Sequence, residues 1–249
     1  MKFTIITPSF NNETTILRSL KSLHSQINTS FEHVLVDNLS KDKTVEICKK
    51  FSSKIIVIRE KDNGIYDAIN KGINISTGDI IGILHANDFY NYNYVLSDVL
   101  KYFKKFKKEI VIGNVSYFRE NNPTRTIRYF SSKNFKSYKL KYGFMPPHTA
   151  TFIAKKTYLN CGLYKTYYKI ASDYEMFVRI LLKKNLGFSQ INKTLMKMSL
   201  GGLSSSGLSS WIQSTKEIKN ILNEHNIKIN IFVLLLRFPI KFLEFFKNK

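Results

Sequence analysis

With 249 residues, 43% apolar and 14% aromatic, the chain has the composition of a folded globular protein with ample core material, which excludes a disordered chain. Its formal charge of +21 is unevenly placed: residues 1–100 carry 11 basic and 11 acidic side chains, residues 101–249 carry 28 and 7. Two cysteines exclude a disulfide framework, and no apolar run reaches the ~18 residues of a membrane-spanning helix.

The first apolar run, "KFTIIT", reads as a strand closed by Pro8. It is too short for a signal peptide, so a reducing, cytoplasmic location is expected. "NETTILRSLKSLHSQ" follows with Ile16, Leu17, Leu20 and Leu23 at helical spacing. "EHVLVD" is a second strand and "KDKTVEICKKF" a second helix, with Cys48 as a small buried apolar side chain. "KIIVIRE" is a third strand, "GIYDAINKGINIS" a helix with Ile65, Ile69 and Ile73 on one face, and "GDIIGIL" a fourth strand. Strands alternating with helices predict βαβ units and a mostly parallel sheet, in an α/β fold. Continuous apolar strands agree, because parallel sheets are covered on both faces.

"YVLSDVLKYFKKFKKE" reads as a helix with a lysine-rich solvated face, and "EIVIGNVSYF" as a further strand. Residues 121–142 are polar, basic and aromatic without periodicity, and are expected to form a loop or flap. "HTATFIA" is a strand and "SDYEMFVRILLKK" a helix with Met176, Phe177, Ile180 and Leu181 inward. "GGLSSSGLSS" marks a flexible stretch before the last helices. The segment 229–246 sets basic residues against Leu and Phe. It fits either an interfacial amphipathic helix or a helix docked on the core.

In an open α/β sheet, ligands bind beyond the carboxyl ends of the strands. Here those ends read "TPSFNN", "VDNLSKD", "REKDNG" and "LHAND", so three of four deliver a carboxylate (Asp37, Asp62, Asp88) to one edge. Asp37 also suits an Asx turn. Glycine-rich phosphate loops are absent. A nucleotide bound here would therefore be held by carboxylates and a divalent cation whose shell the phosphates complete.

Taken together, "TIITPSFNNETTILRSLKSL", "VDNLSKDKT", "EKDNGIYDAINKGINISTGDIIGILHAND" and "IASDYEMFVRILLK" resemble a family 2 glycosyltransferase of the GT-A fold, in the bacterial branch that builds O-antigen, capsule and other surface polysaccharides. The resemblance covers roughly residues 2–206. It implies a GT-A domain over 1–206, with a nucleotide-sugar half (about 1–100) and an acceptor half (about 101–206), followed by a C-terminal amphipathic helical segment over 207–249. It further implies inverting transfer of a sugar from a nucleotide diphosphate sugar with Mn²⁺ or Mg²⁺ as cofactor. By family frequency the donor is UDP-hexose or UDP-N-acetylhexosamine.

Residue by residue, the resemblance puts Thr7, Pro8 and Ser9 in the base pocket, Asp37 on the base, and Asp62 near base and ribose. Asp67, Asn70 and Lys71 would lie beside the diphosphate and donor sugar. Asp88 matches the last acid of the family's metal motif, and Asn87 stands where a second acid is common. Asn87 is a weaker, neutral oxygen ligand than an acid. His148, Gly201 and Gly202 fall on the acceptor side, and Asp173 matches the catalytic base. Read alone, Asp173 is an acid at a helix N-terminus, where the macrodipole favours it. His148 read alone is a structural histidine, and the resemblance gives both residues their roles.

The same resemblance implies a lipid-linked (polyprenyl diphosphate) glycan as acceptor. The basic second part would then meet an anionic membrane surface from the cytoplasmic side. A sugar nucleotidyltransferase is the nearest alternative, but "TPSFNN" lacks its glycine- and basic-rich loop. A basic nucleic-acid-binding module would need stacking aromatics in a known arrangement, which does not appear, so no nucleic-acid partner is expected. A non-catalytic scaffold is a further alternative, suggested by Asn87.

Overall fold

A computed structural model describes residues 1–201 and 208–235. Alternating strand and helix over the first hundred residues produces β1 (Phe3–Ser9), α1 (Ile16–His24), β2 (Phe31–Asp37), α2 (Thr44–Phe51), β3 (Ile56–Arg59), α3 (Ile65–Ile75) and β4 (Ile80–Ile83). All seven residues of β1 are buried, as a central parallel strand requires. A two-residue strand β5 (Phe89–Tyr90) and helix α4 (Val95–Phe106) follow. The remaining elements are β6 (Ile110–Phe118), β7 (Arg128–Phe130), β8 (Thr151–Ala154), α5 (Lys155–Cys161), α6 (Ser172–Phe177), β9 (Phe188–Ser199), α7 (Leu208–Glu224) and α8 (Ile231–Leu235). Helix α6 continues into a π-helical turn over Val178–Lys183.

The described strands form one sheet in the order β3-β2-β1-β4-β8-β6-β9-β5, with β7 paired on β6. β1 to β4 are mutually parallel, β8 runs against both β4 and β6, and β6 and β9 are parallel. The α/β fold with a mostly parallel sheet is therefore as the sequence predicts. Strand order reverses on either side of β1, which opens a crevice past the ends of β1 and β4.

Both faces of the sheet are covered, and the alternation of the strands decides which residue serves which face. Ile6, Val34, Val36, Ile81, Ile83, Ile110 and Ile112 pack with α3, α6 and α7. Ile5, Ile80, Val111 and Phe152 pack with α4, and Leu35 with α1 and α2. Met176, Phe177, Ile180 and Leu181 all point inward, and Cys48 is fully buried.

Three expectations need correction. Leu17 is 41% exposed, because its neighbour Ile16 occupies the core-facing position and adjacent residues of a helix point different ways. Residues 121–142 are more ordered than a loop. β7 pairs antiparallel with β6 (Ser116 opposite Tyr129), and Asn114 Nδ2 donates to Tyr129 Oη at 2.6 Å. The twelve-residue strand β9 is absent from the sequence reading. Its register against β6 slips between Ile112 and Asn114 and again before Val115, so its apolar residues lose the period of two.

Of the C-terminal segment, α7 docks on the core through Ile218, Ile221 and Leu222. Residues 236–249, which hold most of the amphipathic stretch, lie outside the described residues, as does Gly202. No helix among the described residues is long and apolar enough to cross a membrane.

Candidate active site

Parallel register aligns Ser9 with Asp37 and Asp37 with Arg59, so the first three strands end level. Asp37 is fully buried and accepts the Ser40 N–H at 2.9 Å and the Ser40 hydroxyl, with Arg59 Nε at 3.6 Å. The N–H it accepts lies three residues on, one beyond that of the expected Asx turn, and its carboxylate anchors a half-exposed guanidinium at the sheet edge. Ser9 Oγ donates to Asn12 Oδ1 at 3.1 Å. Pro8 is buried within β1. Thr7 faces inward, where its hydroxyl meets His33 Nε2 at 2.9 Å.

Asp62 accepts the Gly64 N–H at 2.9 Å, while its own N–H donates to Asn38. Burial pushes the Asp62 carboxyl up, and the charges of Asp67 and Asp37 push the same way. These three acids therefore share one electrostatic neighbourhood. Asp67 accepts the Asn63 N–H and lies 3.7 Å from Lys71, whose ammonium donates to the Lys61 carbonyl and pairs with Glu60 at 3.1 Å. Asn70 is hydrogen-bonded to the backbone of Tyr164. Its Nδ2 donates to the Tyr164 carbonyl at 2.8 Å and its Oδ1 accepts the Tyr164 N–H at 3.0 Å. That double bond ties α3 to the second half of the chain.

Asp88 lies in the crevice past β4 and is 2% exposed. One carboxylate oxygen accepts the Ser199 N–H at 3.1 Å, while Oδ2 is buried with no hydrogen-bond partner among the described residues. Burial lifts its pKa to about 7, against the pull of the Ser199 N–H and of Arg18. Arg18 is fixed by a bidentate pair with Glu120 at 2.9 Å and donates to the Asn87 carbonyl at 2.8 Å. A desolvated carboxylate with one orphaned oxygen suits a cation whose shell is completed from outside the protein. The described residues contain no cluster of three His, Cys, Asp or Glu that could hold a metal unaided.

Three residues before Asp88, His85 packs its ring 5.4 Å from that of His148. His148 Nδ1 in turn lies 3.7 Å from Asp173 Oδ2. Burial lowers His85 to about 3, with His148 adding to the effect, and lowers His148 to about 4. Both rings are thus neutral at pH 7, and the His148–Asp173 contact is not an ion pair there. Asp173 Oδ1 accepts the Tyr174 N–H at 2.8 Å and sits 3.2 Å from the Tyr66 hydroxyl, which also donates to the Ile170 carbonyl at 2.7 Å. His85, His148 and Asp173 therefore form a run of neighbouring side chains, and the Asp88 N–H, donating to the His85 carbonyl at 3.0 Å, ties Asp88 to its start through the backbone. Gly201, at φ +114°, closes the described strand region with open space where a side chain would stand.

The sequence profile described as Glycosyl transferase family 2 matches residues 4–167, about two thirds of the chain. The chain belongs to glycosyl transferase family 2. Family 2 relatives include a "PGL/p-HBAD biosynthesis glycosyltransferase" of Mycobacterium bovis, 25% identical over 94% of this chain and 90% of that protein. Glycosyltransferase GlyA of Streptococcus pneumoniae is 30% identical over 48% of this chain and 18% of its own length. Among solved structures, S. aureus TarS 1-349 in complex with UDP-GlcNAc superposes with a TM-score of 0.71 at 19% identity, covering 94% of this chain and 70% of that one. A Pyrobaculum calidifontis mannosyltransferase in complex with GDP-Man and Mn²⁺ gives 0.65 at 16% identity, covering 92% and 65%. These likenesses establish the GT-A fold. The family 2 match ends at residue 167, before Asp173 and α7.

Proposed function

We propose that this family 2 glycosyltransferase is an inverting enzyme that moves a sugar from UDP-hexose or UDP-N-acetylhexosamine to a hydroxyl of a lipid-linked glycan in bacterial surface-polysaccharide synthesis. The observation that carries this reading is the buried Asp88 carboxylate, one oxygen of which has no partner among the described residues, in the same turn as His85, whose ring packs on His148 beside Asp173. Ser9, Asp37 and Asp62 line the nucleotide end. Lys71 brings positive charge towards the diphosphate. His148 and Gly201 belong to the acceptor side.

Asp88 Oδ2, with Asn87 beside it, would hold Mn²⁺ or Mg²⁺. The bound ion would neutralise charge building on the departing nucleotide diphosphate. Asp173 takes the proton from the acceptor hydroxyl as that oxygen attacks the anomeric carbon from the face opposite the leaving group, which inverts the centre. Tyr66 holds one oxygen of Asp173, leaving the other directed towards His148 and the crevice.

A membrane-facing acceptor side is supported by where the acids of the second part go. Glu109 pairs with Lys156, Glu120 with Arg18 and Glu175 with Arg179, while Glu217 and Glu224 accept hydrogen bonds on α7. The surplus lysines therefore meet little surface acid, which suits an anionic bilayer at the cytoplasmic face.

The test is a thermal-shift screen of UDP-, GDP- and dTDP-sugars with Mn²⁺, followed by transfer assays of Asp88→Ala and Asp173→Asn. Each substitution is expected to lower turnover at least 100-fold. Wild-type turnover in both would overturn the assignment.

A further inference from the structure

The segment leading to Asp173 is held from two sides. From α3, Asn70 grips the Tyr164 backbone and Tyr66 donates to the Ile170 carbonyl. From α7, which lies beyond the family match, Glu217 accepts three consecutive backbone N–H groups: Lys169 at 3.1 Å, Ile170 at 3.0 Å and Ala171 at 2.9 Å. Gln213, one turn earlier, donates to the same carboxylate at 3.1 Å. Two turns after Glu217, Glu224 accepts the Tyr168 hydroxyl at 2.6 Å, and His225 Nε2 lies 3.1 Å from Glu175 of α6. The helix itself is secured by its apolar face, with Ile218, Ile221 and Leu222 in the core. The polar grip is therefore additional to what docking needs.

Resting on the reading of Asp173 as the base, we propose that Glu217 is a positioning residue for it, which makes α7 part of the catalytic apparatus. Glu217 does not touch substrate in this scheme. By collecting the amides of residues 169–171 it fixes the curvature of the three residues before the helix, and so the direction in which the Asp173 carboxylate leaves the backbone. Proton transfer needs heavy atoms within hydrogen-bond reach, and a misplacement of about 1 Å costs on the order of 100-fold in rate. The donor contacts of β1 to β3 lie on other elements and do not depend on Glu217.

The experiment compares Glu217→Ala, Glu217→Gln and Asp173→Asn in the full chain, well below the melting temperature of each. UDP release is followed with the nucleotide sugar that shifts the melting point most (UDP-GlcNAc with Mn²⁺ tested first), and donor Kd is measured by calorimetry. Glu217→Ala is expected to lower kcat about 10- to 100-fold with donor Kd and KM unchanged. Glu217→Gln keeps an oxygen for the Ile170 and Ala171 amides and should recover part of the loss. If Glu217→Ala does not fold, a several-fold fall in kcat at unchanged Kd in Glu217→Gln carries the proposal. Wild-type kcat in a folded Glu217 variant overturns it, as does a parallel loss of donor binding. An inactive Asp173→Asn beside fully active Glu217 variants refutes the positioning role alone. A fully active Asp173→Asn removes the base assignment beneath it.

Discussion

Replacing Asn70 by alanine separates two roles that the same residue could play. Asn70 is 9% exposed, and both of its amide atoms are engaged with the Tyr164 backbone, at 2.8 and 3.0 Å. Alanine deletes both bonds and leaves a buried N–H and a buried C=O without partners, each at a cost of about 1–3 kcal/mol. With some water entering the gap, the sum is about 3 kcal/mol. For a chain of this size that corresponds to a fall in Tm of roughly 6–12 °C. Donor affinity should change less than threefold, because both amide atoms of the side chain are already engaged by the Tyr164 backbone. The assay pairs thermal denaturation with calorimetric titration of UDP-GlcNAc and Mn²⁺. A Tm within about 2 °C of wild type, together with a tenfold weaker Kd, would show that Asn70 meets the diphosphate and would refute the tether.

Two further substitutions probe the scaffold. Glu32 is held by Lys2 at 2.6 Å, Thr4 at 2.5 Å and the Thr77 N–H at 2.6 Å. Burial opposes its ionisation, but these bonds together bring its pKa down to about 2 from an ordinary 4.5. A depressed carboxyl stabilises the fold above the unfolded pKa, and that share is lost as pH falls from about 4.5 through about 2. Glu32→Gln should therefore cost up to about 3 kcal/mol at pH 7 in urea unfolding, with the gap closing towards pH 2; a gap independent of pH would contradict this. Gly72 lets α3 lie against β1, and a Cβ there would stand 2.6 Å from Ile6 Cγ2 in the core. Gly72→Ala should cost about 1–3 kcal/mol by denaturant titration, and wild-type stability would mean that the helix can shift freely.

Most of residues 1–100 was legible because parallel strands announce themselves as unbroken apolar runs, and helices by their 3.6-residue spacing. The strand ends were legible too, with Asp37, Asp62 and Asp88 at or just past the ends of β2, β3 and β4. For Thr7 and Asn70 motif position does not say what each side chain bonds to within the fold. Thr7 spends its hydroxyl on His33, and Asn70 spends its amide on Tyr164. Tyr66 and Glu217 carried no sequence signal, because their partners lie 104 and about 46–48 residues away along the chain. β7 was hidden because its strand character is supplied by β6, and β9 because its bulges erase the alternation by which an exposed-edge strand is recognised.

The way β8 joins the sheet bears on how the protein can move. β8 pairs with β4 on one side and β6 on the other, so it joins the β1–β4 part of the sheet to the β6–β9 part within a single ladder. Its side chains enter both cores, Ile153 on one face and Phe152 on the other. Opening the two halves like a jaw would break those pairings and wet both layers at once. Among the described residues the sheet therefore offers no break about which its two parts could hinge. Movement falls to the segments that rim the sheet, while the ladder beneath them moves as one piece.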